Sequence, residues 1–206
     1  MSNLSKPIIL TGDRCQLVPL SYEHEEELSV AVADGKLDGL WYTFAPKPQE
    51  MKNNISMRLA LQKEGSMLPF TVLDKPLGKA VGMTTFLNID HENCRVEIGG
   101  TWYRKQAQRT GLNTECKLLM LSHAFESLNC IAVEFRTHAF NVASRRGIER
   151  LGAKLDGVLR NHMVMPNGTL RDTYVYSIIS SEWPTVKAHL NYLKSKYLSD
   201  TDNFEG

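Results

Sequence analysis

Apolar residues recur along this chain at two spacings, and the switches between them mark out its elements. Ile8–Leu20 reads as strand on either side of a Gly12-Asp13 turn, with Leu17 and Leu20 as its apolar positions. Ser21 offers an N-cap, and Glu23, Glu25, Glu26 and Glu27 put acid at the positive end of a helix dipole. A helix is therefore predicted up to Gly35. Leu40–Phe44 is an aromatic-rich connection. Pro48 suits a first helical position, and Met51, Ile55 and Leu59 repeat at i, i+4 and i+8 until Gly65. Three strands are predicted near Leu68–Leu73, Lys79–Ile89 and Cys94–Trp102, parted by Pro76-Leu77-Gly78 and by Asp90-His91-Glu92-Asn93. Leu112, Cys116, Leu119 and His123 share one stripe of a helix over Gly111–Leu128. A strand at Ile131–Thr137 and a short helix from Asn141 to Gly152 follow. Lys154–Met165 and Arg171–Ser180 form a hairpin around Pro166-Asn167-Gly168. Val186, Leu190, Leu193 and Tyr197 then give a last amphipathic helix from Pro184, and the polar Ser199–Gly206 is expected to be loose.

That order, with no repeat and no linker, predicts one α+β domain around a mostly antiparallel sheet. The 206 residues suffice for a core without disulfides or metal. Lys+Arg is 24 against Asp+Glu 23, so no bulk charge draws the chain to nucleic acid or an anionic membrane. Cys15, Cys94, Cys116 and Cys130 fit no zinc spacing, and the six histidines never pair as metal ligands. The cysteines read as free thiols in a reducing cytoplasm. Met1–Pro7 carries no signal-type apolar core, and no stretch is apolar enough to span a bilayer.

The chemistry-bearing segment leaves the strand at Glu97 and enters a helix near Gly111. First-turn amides have no intrahelical acceptor, and with the dipole they make an anion site. Gly111 lets backbone approach a ligand, and Asn113 tolerates turn geometry. Arg104, Lys105 and Arg109 add positive charge, and the whole suits a pyrophosphate. The plainer alternative is a helix start with solvated basic residues. Neither Gly-x-Gly-x-x-Gly nor Gly-Lys-Ser/Thr is present.

Here the sequence resembles the GNAT superfamily of acyl-CoA N-acyltransferases, and within it the RimJ/RimL-like branch. The superfamily loop Gln/Arg-x-x-Gly-x-Gly/Ala is matched by Gln108-Arg109-Thr110-Gly111-Leu112-Asn113, followed by Thr114, with Asn113 departing at the last position. Glu97-Ile98-Gly99-Gly100-Thr101-Trp102, the Asn141-Val142-Ala143-Ser144 helix and the terminal hairpin with Asn167-Gly168 and Arg171-Asp172 align in the same order. The resemblance implies a GNAT-like α/β/α domain over 8–182, with 183–206 as a C-terminal helix and tail. Its sheet would be splayed, with acetyl-CoA in the gap between the strands at 94–102 and 131–137. Gly99-Gly100 would allow the bulge that opens the pair.

On the same terms, Ile98, Gly99, Trp102, Gln108–Thr114, Asn141 and Arg145 are expected to contact the cofactor. Arg145 and Arg146 reach the nucleotide end or form a solvated helix face. Glu97 is the candidate base, or else a strand carboxylate paired with Arg95 or another surface cation. An α-amine titrates near ~8, so little assistance is needed at neutral pH. Ser144 is the candidate acid for the departing thiolate, or a first-turn serine that only caps. The tyrosine that many relatives carry on this helix is Ile148 here. Trp41, Tyr42 and His162 are expected at the acceptor site, His162 also as a secondary base. The function implied is acetyl transfer from acetyl-CoA to a primary amine, by direct attack on the thioester. The acceptor is a peptide N-terminus or a small amine, and the protein a cytoplasmic monomer or homodimer. A non-catalytic acyl-CoA-binding module is the alternative.

Overall fold

A tight turn at Gly12 joins two short strands, β1 (Leu10–Thr11) and β2 (Cys15–Pro19), in the computed structural model, which describes residues 5–35 and 37–202. Ser21 accepts a hydrogen bond from the Glu23 N–H, while the His24 ring accepts one from the Ser21 N–H. This reciprocal cap closes a 3-10 turn ahead of helix α1 (Glu25–Ala33). Pro48 opens a second such turn ahead of α2 (Met51–Lys63). The next strands are β3 (Leu68–Asp74), β4 (Lys79–Asp90) and β5 (Arg95–Tyr103). Helix α3 (Leu112–Ser122) continues as one π turn over His123–Ser127, and then come β6 (Ala132–His138) and α4 (Val142–Arg150). The hairpin of β7 (Lys154–Val164) and β8 (Leu170–Ile179) precedes α5 (Trp183–Asp202). The last helix thus runs into the expected polar tail, and 203–206 lie outside the described residues.

All eight strands belong to one sheet, in the order β1-β2-β3-β4-β5-β6-β8-β7. Every neighbouring pair is antiparallel except β5–β6. A parallel pair needs a crossover, and α3 supplies it. One face carries the main core, where Val96, Ile98, Val133, Phe135 and Ile178 pack with Leu112, Cys116 and Leu121 of α3 and Val186 and Leu190 of α5. On the other face α1 and α2 cover Ala80, Met83 and Trp102. Beyond them, β5 to β8 present Arg95, Glu134, Arg136, Asp156 and Ser177 to a groove of about 480 Å³.

The segment from Trp183 onward is fastened to the rest. Trp183 stacks on Phe125 at 5.2 Å, and Lys194 reaches Asp13 at 2.6 Å and Glu115 at 3.1 Å. Glu115, only 3% exposed, ties three elements together. Its carboxylate accepts the N–H of Asp13, Arg14 and Cys15 at 2.8–2.9 Å. Gly12 makes room for it, since a Cβ there would lie 2.7 Å from Glu115 Cδ. Burial alone would raise this carboxyl's pKa, but Lys194 and the backbone donors outweigh it and hold it below the ordinary 4.5.

A group depressed in this way stabilises the fold above its unfolded pKa, and the stability is lost as pH falls through the folded value. Glu115→Gln is expected to cost about 2–3 kcal/mol at pH 7. Urea melts of both proteins at pH 7 and pH 3.5, the latter set below about 4.3, check it. The difference should shrink at the lower pH.

Candidate active site

The register of β5 and β6 creates the opening. They pair only at Arg95↔Ala132, Val96↔Val133 and Glu97↔Glu134. Beyond Glu97, β5 is bonded to β4 alone and β6 to β8 alone. Two inner strand edges therefore part and leave backbone groups unpaired. The cause lies in β5. Met83↔Trp102 and Thr85↔Gly99 frame one residue on β4 against two on β5, which is a bulge. Gly100 takes a φ of +56° there, and its neighbour in space is the Arg58 guanidinium, 3.0 Å from where a Cβ would sit.

Two buried cations flank this bulge. Arg58 donates to Thr85 Oγ1 at 2.7 Å and to Asn54 Oδ1 at 2.9 Å. From α3, Lys117 Nζ donates to Thr84 Oγ1 at 2.9 Å and Thr101 Oγ1 at 2.8 Å. Burial pulls Lys117 down to about 8 and Arg58 to about 10. Positive charge thus stands on both sides of the parted strand. A lysine within the buried part of α3 is a signal that apolar periodicity passes over.

After β5 the chain makes a 3-10 turn at Lys105–Ala107 and enters α3 with Gly111 as N-cap. Arg109 and Gly111 have φ of +62° and +83°. The positive φ falls on these two, and Asn113, expected to tolerate turn geometry, is helical. Tyr103 braces the turn. Its carbonyl accepts from Gln108 Nε2 at 2.9 Å, and its hydroxyl donates to Asn113 Oδ1 at 3.1 Å. Among the described residues, the N–H groups of Arg109 to Thr114 have no acceptor. Arg150 of α4 adds charge at the same place by donating to Thr114 Oγ1 at 3.0 Å. Arg104 instead pairs with Asp34 at 3.2 Å. At Gly111, expected to let backbone approach a ligand, a Cβ would meet Tyr197 of α5 at 2.7 Å, so the missing side chain also makes room for the protein's own helix.

Glu97 stands at the last paired rung, 6% exposed. Asn88 Nδ2 donates to it at 2.7 Å, and the cation beside it is Arg136, at 3.5 Å, rather than Arg95. Arg95 and Arg136 both bind Glu134. Glu97 lines a recess of about 160 Å³ with Asn88, Asp90, Glu134 and Arg136. Burial raises its pKa more than Asn88 and Arg136 lower it.

On α4, Asn141 is the N-cap and accepts the Ser144 N–H at 3.0 Å. Ser144 is half-buried, and Ile148 packs into the core. Arg145 lies 3.9 Å over the Tyr174 ring and donates to Tyr176 Oη at 3.3 Å, while Arg146 is exposed. The side chains of Ile98, Leu112 and Trp102 are in the two cores, so only their backbone is available to a ligand.

A group that the sequence did not single out stands at the end of β6. His138 is 2% exposed. Trp41 is edge-on to it at 5.1 Å, Tyr42 lies at 6.3 Å and Phe140 at 5.7 Å. Arg171 stands nearby, with its guanidinium 5.6 Å from the Phe44 ring centre and its Nε donating to Thr173 Oγ1 at 2.9 Å. His162, exposed on β7, approaches the same threonine at 3.1 Å. Trp41 and Tyr42 thus share a cluster with His138, and His162 touches it only through Thr173.

Against known protein families, residues 14–154 match the model of the acetyltransferase (GNAT) domain. The chain belongs to the GNAT acetyltransferase family. The matched span holds both parted edges, the braced turn and α4, and it makes the protein an acyltransferase enzyme. The N-acetyltransferase p20 of Bacillus licheniformis is 28% identical over 134 residues, 65% of this chain and 74% of that protein. A GCN5-related N-acetyltransferase from Brucella melitensis superposes with a TM-score of 0.81 at 31% identity, covering 91% of this chain and 86% of its own. The fold is also that of Mycobacterium smegmatis RimJ in complex with CoA-disulfide, at TM-score 0.77 and 20% identity, over 90% of this chain and 94% of that one. This GNAT protein has no described helix long and apolar enough to cross a membrane.

Proposed function

We propose that the protein transfers an acetyl group from acetyl-CoA to a primary amine, with the thioester lying between β5 and β6. The observation that carries this reading is the coincidence of an unpaired β5 edge with six amides at the start of α3 that have no partner among the described residues. The fit is chemical. An arm with alternating amide groups can bond the backbone of Ile98–Trp102 as an added strand would. A pyrophosphate matches the N–H groups of Arg109 to Thr114, with Arg109 and Arg150 as counter-charge. When bound, acetyl-CoA supplies an activated acyl carbon.

The chain's own groups would do the rest. Glu97 takes the proton of the acceptor ammonium, directly or through water in the recess beside it. Backbone N–H groups near Ile98–Thr101 receive the negative charge that develops on the carbonyl oxygen. Lys117 and Arg58 add positive potential on either side of that backbone, with little solvent to screen it. Ser144, on the first turn of α4, would donate a hydrogen bond to the departing thiolate. Gln108 and Asn113 act through Tyr103, by holding the turn in shape. Arg145 is committed to Tyr174 and Tyr176 and would reach the nucleotide only by leaving them.

Thermal melts with coenzyme A, together with thiol release from acetyl-CoA over a panel of amines, test the proposal. Coenzyme A at one hundred times its dissociation constant should stabilise the fold by about 2.7 kcal/mol. No stabilisation at millimolar coenzyme A would remove the cofactor assignment. Binding without thiol release on any amine would remove the transfer step.

A further inference from the structure

The aromatic cluster at the end of β6 holds a donor with nothing to donate to. His138 Nδ1 lies 3.1 Å from the Phe140 N–H. A backbone N–H only donates, so Nδ1 is the bare nitrogen and Nε2 carries the proton. That Nε2 is fully buried and has no hydrogen-bond partner among the described residues. A buried, unsatisfied N–H is costly and rare in a folded protein. Arg171, 8% exposed, is the second donor. Its Nε is taken by Thr173, and among the described residues no side chain accepts from its two terminal nitrogens.

The charges around this pair define what is missing. Arg171 is close enough to Glu97 and to His138 for its charge to be felt by both. Burial, and then Arg171, lower the imidazole's pKa and so favour its neutral form. Asp172 also faces His138, but its carboxylate is engaged by the Asn161 N–H at 2.7 Å and approached by Arg160. One end of the site therefore offers a carboxylate, Glu97. The other offers a guanidinium and an N–H, walled by Trp41, Tyr42 and Phe140.

We propose that His138 Nε2 and Arg171 bind a carboxylate of the acceptor, so that the preferred acceptors are amines with a carboxylate on the adjacent carbon, as in free amino acids. The proposal rests on the acetyl-transfer reading. Guanidinium and imidazole N–H make charge-assisted bonds to a carboxylate, and they are stronger where aromatic walls exclude water. The amine of the same molecule is then turned towards Glu97. A polyamine would bring a second cation against Arg171, which selects against it. Trp41 and Tyr42, two of the rings around His138, sit on an irregular segment over residues 40–47, and a ligand would enter by rotation of these side chains. No strand or helix has to move.

The test uses L-amino acids and their amides as matched pairs, with a dipeptide amide and spermidine alongside. The acids should exceed their amides in kcat/KM by about tenfold or more. In His138→Ala the ratio should fall towards one. In His138→Gln, whose amide nitrogen lies near the place of Nε2, part of the ratio should return. Unchanged coenzyme A affinity in both variants shows that they are folded.

Equal use of acids and amides by the wild-type protein, or a ratio untouched by His138→Ala, overturns the subsite and leaves acetyl transfer standing. Titration of the acids into the coenzyme A complex gives a readout independent of turnover. Acid binding lost in His138→Ala supports the subsite even where no amine is acetylated. Absence of acid binding to the wild-type complex overturns it.

Discussion

Replacing Gly111 by valine is expected to cost about 3 kcal/mol of stability and to abolish coenzyme A binding. Two independent faults add. A β-branched residue is strained at the φ of +83° that the N-cap of α3 adopts, and its Cβ would meet Tyr197 at 2.7 Å. Strain at φ > 0 costs roughly 1–2 kcal/mol, and an overpacked contact roughly 1–3. Relief of either fault flattens the turn or lifts α5, and each spoils the convergence of the Arg109–Thr114 amides. The two parts separate in a cycle with Gly111→Ala and Tyr197→Ala. If the steric account is right, Tyr197→Ala recovers the packing share of the loss and leaves the dihedral share. Additive losses would show that Tyr197 does not press on this position. Full coenzyme A affinity in Gly111→Val would mean that the anion site lies elsewhere.

The contact of Tyr197 with Gly111 could not be read from the sequence, whereas much of the fold could. Strand and helix positions followed from spacing, because each element buries one face and repeats with that face's period. The bulge was signalled by adjacent glycines at 99 and 100, since few other residues accept φ near +56° beside a buried arginine. Asn141, whose residue type favours helix starts, caps α4 where a helix was predicted to begin.

What could not be read were contacts between distant segments. Tyr197 lies far along the chain from Gly111. Glu115 reaches back to Asp13, Arg14 and Cys15, and Lys117 reaches Thr84. No local periodicity encodes such pairs. His138 was missed for the same reason. It ends a buried strand as an apolar residue would, and its distinction is an unpartnered nitrogen among rings from residues 41 and 42. Arg145 is the converse case. Its place on the motif helix suggested a ligand contact, and the structure gives it Tyr174 and Tyr176.

Glu97→Gln is expected to lower kcat about 100-fold, with coenzyme A affinity and folding intact. The base works ionised, so activity is lost as pH falls through its pKa in the complex. Burial raises that pKa above the ordinary 4.5, so the acid limb of kcat is expected above 4.5. The variant removes this limb. Arg136→Met should move it the other way, to higher pH. It takes away the cation 3.5 Å from Glu97 that favours the ionised form.

Stability distinguishes the two proteins as well. A carboxylate whose pKa is raised on folding is held in the fold at a cost at neutral pH. Glutamine keeps an oxygen for the Asn88 N–H bond and carries no charge to desolvate. Glu97→Gln should therefore melt no lower than the wild-type protein at pH 7, and the difference should narrow towards pH 4. A structural carboxylate, present only to pair with Arg136, would give the reverse, a less stable variant with wild-type turnover. Loss of turnover with stability kept is the signature of a group retained for chemistry.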